Sequence, residues 1–281
     1  MYKWLMNIIV VALVLQSATG CNWMSPSDDS PYNHIFREEE AHLTDDVSSP
    51  FCDFSIDYTY LEEDGDSIAA LINRTIQREW LGDEYASLPP VEAVDSFKNV
   101  YIRNYRKETS KMYSVDKAKT TYDEAIPQWY NRTYSMVTFV EEGCAGILNA
   151  SANYFEDMGG AHPNQWSRWM NLESETGKLL TIDDVFLPTA KKDIEQLLTE
   201  HLIRLQAELY PDESMATLKD LQKKGFLQST NMYIPHNFLL QKEGILFLFN
   251  RYDISPYAAG EIVIKIPYEE IGSYLHCHTI Q

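Results

Sequence analysis

Positive charge is scarce in this chain: 23 lysines and arginines stand against 42 aspartates and glutamates, a formal net charge of −19 at pH 7 over 281 residues. That balance excludes nucleic acid and an anionic bilayer surface as partners, because both demand cations. Long apolar runs are missing too. The run 8–15 is far shorter than the roughly 20 residues a membrane-spanning helix needs. There are only four cysteines, Cys21, Cys52, Cys144 and Cys277, so the last three allow at most one internal disulfide beside buried free thiols. No G-x-S-x-G, P-loop, H-E-x-x-H or G-x-G-x-x-G occurs, which removes the common hydrolase, nucleotide, zinc-protease and dinucleotide signatures. No cofactor is expected, and no metal: His276-Cys277-His278 lacks the further ligands that a structural zinc requires.

What is present begins with an export signal. Lys3 precedes the apolar run, and Ser17-Ala18-Thr19-Gly20 precedes Cys21 as in a bacterial lipobox. The expectation is cleavage after Gly20 and lipidation of Cys21. The mature chain would then hold 22 basic against 42 acidic residues, a formal charge of −20. Its location would be the bacterial cell envelope, outside the cytoplasmic membrane, touching the membrane through the lipid anchor only. Residues 21–50, with three prolines and many acids, read as a flexible acidic tether. A surface this acidic favours solubility and, for a macromolecular partner, a cationic one.

Beyond residue 50 the periodicity switches between strand and helix. A strand over 51–61 is followed by a helix with Ile68, Leu71, Ile72 and Ile76 on one face, ending near Gly82, and by a second helix after Pro89-Pro90. Runs 128–141 and 144–157 form a hairpin through Glu142-Gly143. A strand over 165–172, a turn at Glu175-Thr176-Gly177-Lys178 and a short run to Phe186 come next. A helix after Pro188 carries Ile194, Leu197, Leu198, His201, Leu202, Leu205 and Leu209 on one face. Strands over 231–234, 238–241, 245–250 and 261–266 and a helical turn after Pro267 complete the chain. Strands in two groups with helices inserted imply an α+β fold built on antiparallel sheets. The organisation expected is an N-terminal α+β subdomain over 51–125, a C-terminal domain over 126–275 and a tail over 276–281.

Three segments carry a resemblance: GGAHPN (159–164), NLESETGKLLTIDDVF (171–186) and FLLQKEGILFLFNRYDISPYAAGEIVIKIPYEEI (238–271). In this order and spacing they resemble the extracytoplasmic domain shared by RsiV-type anti-sigma factors and the non-catalytic part of PdaC-type peptidoglycan deacetylases. The resemblance spans about residues 51–271. It implies an α+β recognition domain, and the RsiV type binds lysozyme. The membrane helix and sigma-binding segment of the first type, and the deacetylase domain of the second, have no counterpart in this sequence. The function expected is therefore non-enzymatic recognition by an envelope lipoprotein, with a lysozyme-type muramidase or peptidoglycan as partner.

The candidate binding residues are His162, Trp166, Trp169, Asp253 and Tyr257. His162, between a glycine pair and Pro163, reads as a turn histidine that donates to a backbone carbonyl. In the strand, alternation places Trp166 with Arg168, Met170 and Leu172, and Trp169 with polar Gln165, Ser167 and Asn171, so Trp169 is the better anchor for a protein or a sugar. Tyr257 sits in the SPYAAGE turn. The alternatives are an envelope hydrolase using His162 with Asp157 or Asp253 nearby, which needs a hydrogen-bonded partner group, and a structural lipoprotein binding another envelope protein.

Overall fold

The computed structural model describes residues 31–63, 65–119, 130–211 and 213–276. The export signal, Cys21, Cys277 and His278 lie outside these residues. Strands β1 (Tyr32–His42), β2 (Phe51–Leu61), β3 (Arg132–Glu142), β4 (Ile147–Asp157), β5 (Asn164–Glu173) and β6 (Leu179–Leu180) form one sheet in that order. All its pairings are antiparallel except β2 with β3, which run parallel. The crossover between them is made by helices α1 (Ser67–Trp80) and α2 (Pro90–Lys119). After β6 come α3 (Ile182–Val185), α4 (Lys191–Leu209), α5 (Leu218–Lys223) and an antiparallel sheet of β7 (Phe238–Gln241), β8 (Gly244–Phe249) and β9 (Ile262–Pro267), then α6 (Tyr268–Ile271). The fold is α+β with antiparallel-rich sheets, as the pattern of the sequence implies.

Two expectations are corrected. Tyr32–His42, expected within a flexible tether, is an edge strand in register with all of β2, because Ile35 and Ala41 are buried against the core while charged neighbours face water. The boundary at 125 does not separate two domains either. Strand β2 pairs with β3, so 51–125 supplies one strand and the crossover helices of a sheet completed by later residues. Smaller differences are that 231–234 is not a strand, since Pro235 withholds a ladder donor just beyond it, and that α5 has no counterpart in the reading above.

The helices cover one face of the large sheet. Phe54, Ile56, Tyr58, Tyr134, Met136 and Tyr154 point into it and meet Ile72, Ile76 and Trp80 of α1 and Val94, Ile102 and Tyr105 of α2. Each such side chain removed from water contributes about 1.5–3 kcal/mol. Asp66 caps α1 by accepting from the Ile68 N–H at 2.8 Å. The second core lies between the three-stranded sheet and α4, around Ile194, Leu198, Leu202, Phe247, Phe249 and Ile264. Strand β8 is central there and apolar on both sides. Leu209, placed on the inner face by periodicity, is 46% exposed at the end of α4.

The motif at 171–186 locks these parts together. Gly177 has φ +67°, and a Cβ there would come within 3.1 Å of the Ile72 backbone nitrogen, while Thr75 donates to the Gly177 carbonyl at 3.1 Å. Asp184 accepts from Lys178 Nζ at 2.6 Å, from the Thr181 hydroxyl at 2.6 Å and from the Thr181 N–H at 2.9 Å, and these bonds hold its carboxyl below the usual range.

The opposite face of the large sheet is left open over β1 to β3. Register aligns Phe36, Asp57, Val137, Asn153 and Ser167 in one row, and Phe139, Ser151 and Trp169 in the next. Phe36 is 57% and Phe139 50% exposed. Glu38, Glu40, Asp53, Asp57 and Glu141 share that face, and its positions on β1 to β5 include no lysine or arginine. Among the described residues no helix is long and apolar enough to cross a membrane.

Candidate binding site

Of the sequence-predicted residues, His162, Trp166 and Tyr257, with Asp253 in the adjoining turn, gather where β4 ends and β5 begins. The chain leaves β4 through Asp157, whose carboxylate accepts from the Gly159 N–H at 2.9 Å, and Gly159 takes φ +73°. This turn presents His162, which is exposed. Its Nδ1 lies 3.1 Å from the Pro163 carbonyl and its Nε2 3.2 Å from the Tyr252 hydroxyl. A carbonyl only accepts, so Nδ1 carries the proton that faces Pro163, and Nε2 shares the second hydrogen bond with the Tyr252 hydroxyl. The ring also stacks on Tyr257 with centroids 4.0 Å apart. Tyr257 in turn donates to the Pro163 carbonyl at 2.8 Å, and Arg251 lies over its ring at 4.8 Å.

Tyr252 is the residue that periodicity missed. The turn after β8 is closed from both ends: the Asn250 N–H donates to the Asp253 carboxylate at 2.7 Å and the Asp253 N–H to the Asn250 carbonyl at 3.1 Å. Tyr252 is thereby held at φ +70°, among the described residues the one non-glycine in that region, with its ring 52% exposed. A bulky residue in the left-handed region costs of the order of 1–2 kcal/mol. Asn250 and Asp253 three apart are the only trace of this turn in the sequence.

Asp253 is therefore a turn residue and not the acid partner of His162. Burial raises its carboxyl pKa, opposed by the Asn250 bond. Asp157 is likewise committed to Gly159. The polar partners of the His162 ring are a carbonyl and a phenol, so the structure brings it a hydroxyl and neither of the expected carboxylates.

The two tryptophans separate. Trp166 points to the helix face, stacks on Tyr154 at 4.8 Å with planes 3° apart, and remains partly exposed. Trp169, on the opposite face beside Ser151 and Phe139, is half-buried, and its backbone N–H donates to Asn237 Oδ1 at 3.0 Å. Between Trp166 and the 250–257 turn lies an open cleft of about 290 Å³, bordered by Glu156, Asn164, Gln165 and Arg251 as well as Tyr252 and Tyr257. Glu156 accepts from the Tyr101 hydroxyl at 2.9 Å. Behind it Glu261 is covered, and burial raises its carboxyl pKa against the opposing Ser167 bond of 3.0 Å.

His201 pairs with Glu270 at 3.0 Å on the edge of the second core. Cys52 and Cys144 are buried free thiols, and burial pushes Cys52 up to about 12. Among the described residues no three potential ligands gather around a metal position. Asn73 and Asn149, each the first residue of an N-x-[ST] triplet, are buried and hydrogen-bonded, closed to modification in the fold.

The 250–257 turn falls within a segment with known relatives. Residues 183–269 match the family described as "Protein of unknown function (DUF3298)". The structure is similar to the crystal structure of a DUF3298 member from Bacteroides fragilis NCTC 9343, at 28% identity and TM-score 0.77, covering 87% of this chain and 93% of that one. It is also similar to a DUF3298 protein from Pseudomonas aeruginosa PAO1, at 16% identity and TM-score 0.58, covering 89% and 96%, a likeness of fold alone. No curated protein matches the chain.

Proposed function

We propose that this protein is a non-enzymatic recognition module of the bacterial cell envelope, lipid-anchored at Cys21, that captures a cationic muramidase of the lysozyme type. The observation that carries the reading is the open face of the large sheet, where exposed Phe36 and Phe139 stand among Glu38, Glu40, Asp57 and Glu141 with no lysine or arginine. Apolar anchors ringed by one sign of charge suit a partner of the opposite sign: the aromatics contribute affinity and the carboxylates orient and accelerate encounter. The likeness of 159–164, 171–186 and 238–271 to the RsiV-type domain supports the same partner class. The lipobox and the net charge of −19 agree with an exported, acidic receptor.

The test is binding of immobilised lysozyme by the protein and by Phe139→Ser and Asp57→Lys, with melting curves to confirm folding. Loss of a central aromatic should weaken binding at least tenfold, the usual effect of a hot spot. Reversing Asp57 should slow association more than it speeds dissociation. Unchanged binding by both folded variants removes this face from the account.

A further inference from the structure

The open sheet face leaves the cleft beside Tyr252 without a role, and its construction is specific enough to assign one. We infer that this cleft is a second site, which binds a neutral pyranose oligosaccharide.

Four observations carry the inference. First, the lining alternates aromatic rings, Trp166, Tyr252 and Tyr257, with hydrogen-bonding heads from Asn164, Gln165 and Glu156. A pyranose has the complementary surface: C–H faces that stack on rings and hydroxyls around the edge that meet amides and carboxylates. Second, the lining holds one guanidinium, Arg251, and one carboxylate, Glu156, so it selects neither an anion nor a cation. Third, the rings are held in advance. Trp166 is backed by Tyr154, and Tyr257 is stacked on His162, has Arg251 over its ring and is tied by its hydroxyl to Pro163. A ligand would therefore meet surfaces whose ordering cost is already met. Fourth, Tyr252 is held at φ +70° with half its surface in water, a strained arrangement for a ring that the fold covers only in part. Such strain collects at ligand sites.

The same lining argues against cleavage. Glycoside hydrolysis typically uses two carboxyl groups flanking the bond, and among the described residues Glu156, already bonded to Tyr101, is the one carboxylate that lines the cleft. The site holds a glycan without cutting it. Because its lining includes neither Phe36 nor Phe139, it can be tested independently of muramidase capture.

The test is calorimetry of the whole protein with chitotetraose, soluble muropeptides, cellotetraose and maltotetraose. The first two carry N-acetylated sugars as in wall glycan, and the last two are plain glucans, so the arm that binds identifies the source. The expected result is saturable heat with one arm, weakened at least tenfold, about 1.4 kcal/mol, by Tyr252→Ala and by Tyr252→Gly, and unchanged by Val47→Ser. The glycine variant adopts positive φ without strain, so its loss of binding reports the missing ring and not misfolding. No heat with any of the four sugars, or full binding by folded Tyr252→Gly, overturns the inference and leaves the muramidase reading untouched.

Discussion

Asn171 and Leu240 are joined as neighbouring strands are joined, but through a side chain. The Leu240 N–H donates to Asn171 Oδ1 at 2.7 Å, and Asn171 Nδ2 donates to the Phe238 carbonyl at 2.9 Å. The same device recurs along the seam between the sheets. Asn250 accepts from the Ser167 N–H at 2.7 Å and donates to its carbonyl at 3.0 Å, and Asn237 accepts from the Trp169 N–H. Asn250 and Asn237 thus satisfy backbone groups of β5 where no strand continues the ladder, and Asn171 satisfies those of β7, which is how one sheet fixes the position of the other.

Replacing Asn171 with alanine strands a buried donor and a buried acceptor on β7. The expected loss is about 2–6 kcal/mol, at roughly 1–3 for each group left unsatisfied. Urea denaturation measures it. A loss below about 1 kcal/mol would mean that water or a shifted β7 replaces the amide.

Gly177→Ala should cost about 1–2 kcal/mol for the left-handed φ alone, with a further penalty from the approach of the new Cβ to Ile72. The thermal midpoint reads this directly. Gly225→Ala, also at positive φ but with open space around it, should cost less, so the difference between the two isolates the contact with α1.

Tyr252→Gly should do the opposite: it gives up the exposed bond to His162 and the ring contacts, but it relieves about 1–2 kcal/mol of backbone strain while the turn keeps its Asn250 and Asp253 bonds, for a net stabilisation below about 1 kcal/mol. A residue whose removal stabilises the fold is held for some other purpose. A destabilised Tyr252→Gly would show instead that the ring's contacts with His162 and Tyr257 outweigh the strain.

Glu261 sets a pH dependence. Burial raises its carboxyl in the folded state, so the fold binds this proton more tightly than the unfolded chain does. The associated stability is fully present below the ordinary glutamate value of roughly 4.3 and is lost as pH rises through the raised folded value. Glu261→Gln keeps an oxygen for Ser167 and should be the more stable protein at pH 7, with the difference shrinking towards pH 4 in chemical denaturation. A difference that does not change with pH would assign the covered carboxyl no titration.

Much of this arrangement is legible in the sequence because it rests on period. The inward rows Phe54, Ile56, Tyr58 and Ile194, Leu198, Leu202 follow strand and helix spacing. The glycine at 177 and the Thr181-Asp184 pair mark their turn and helix start by residue type alone. What is illegible depends on long-range contact. The charged edge strand β1 hides because only Ile35 and Ala41 of its inner positions are apolar enough to register. The asparagine seam is invisible to hydropathy, since a polar residue there substitutes for backbone. The aromatic corner was half legible: His162, Trp166 and Tyr257 announce themselves by type, whereas Tyr252 gains its place from a backbone angle that no tyrosine advertises.

The measurement that tests the central claim most directly is titration calorimetry of the whole protein with lysozyme at low and at physiological salt. The account predicts one saturable site whose affinity falls as salt rises, because screening at about 8 Å weakens the carboxylate field, yet persists through the contacts of Phe36 and Phe139. The absence of binding heat at either salt concentration would contradict it.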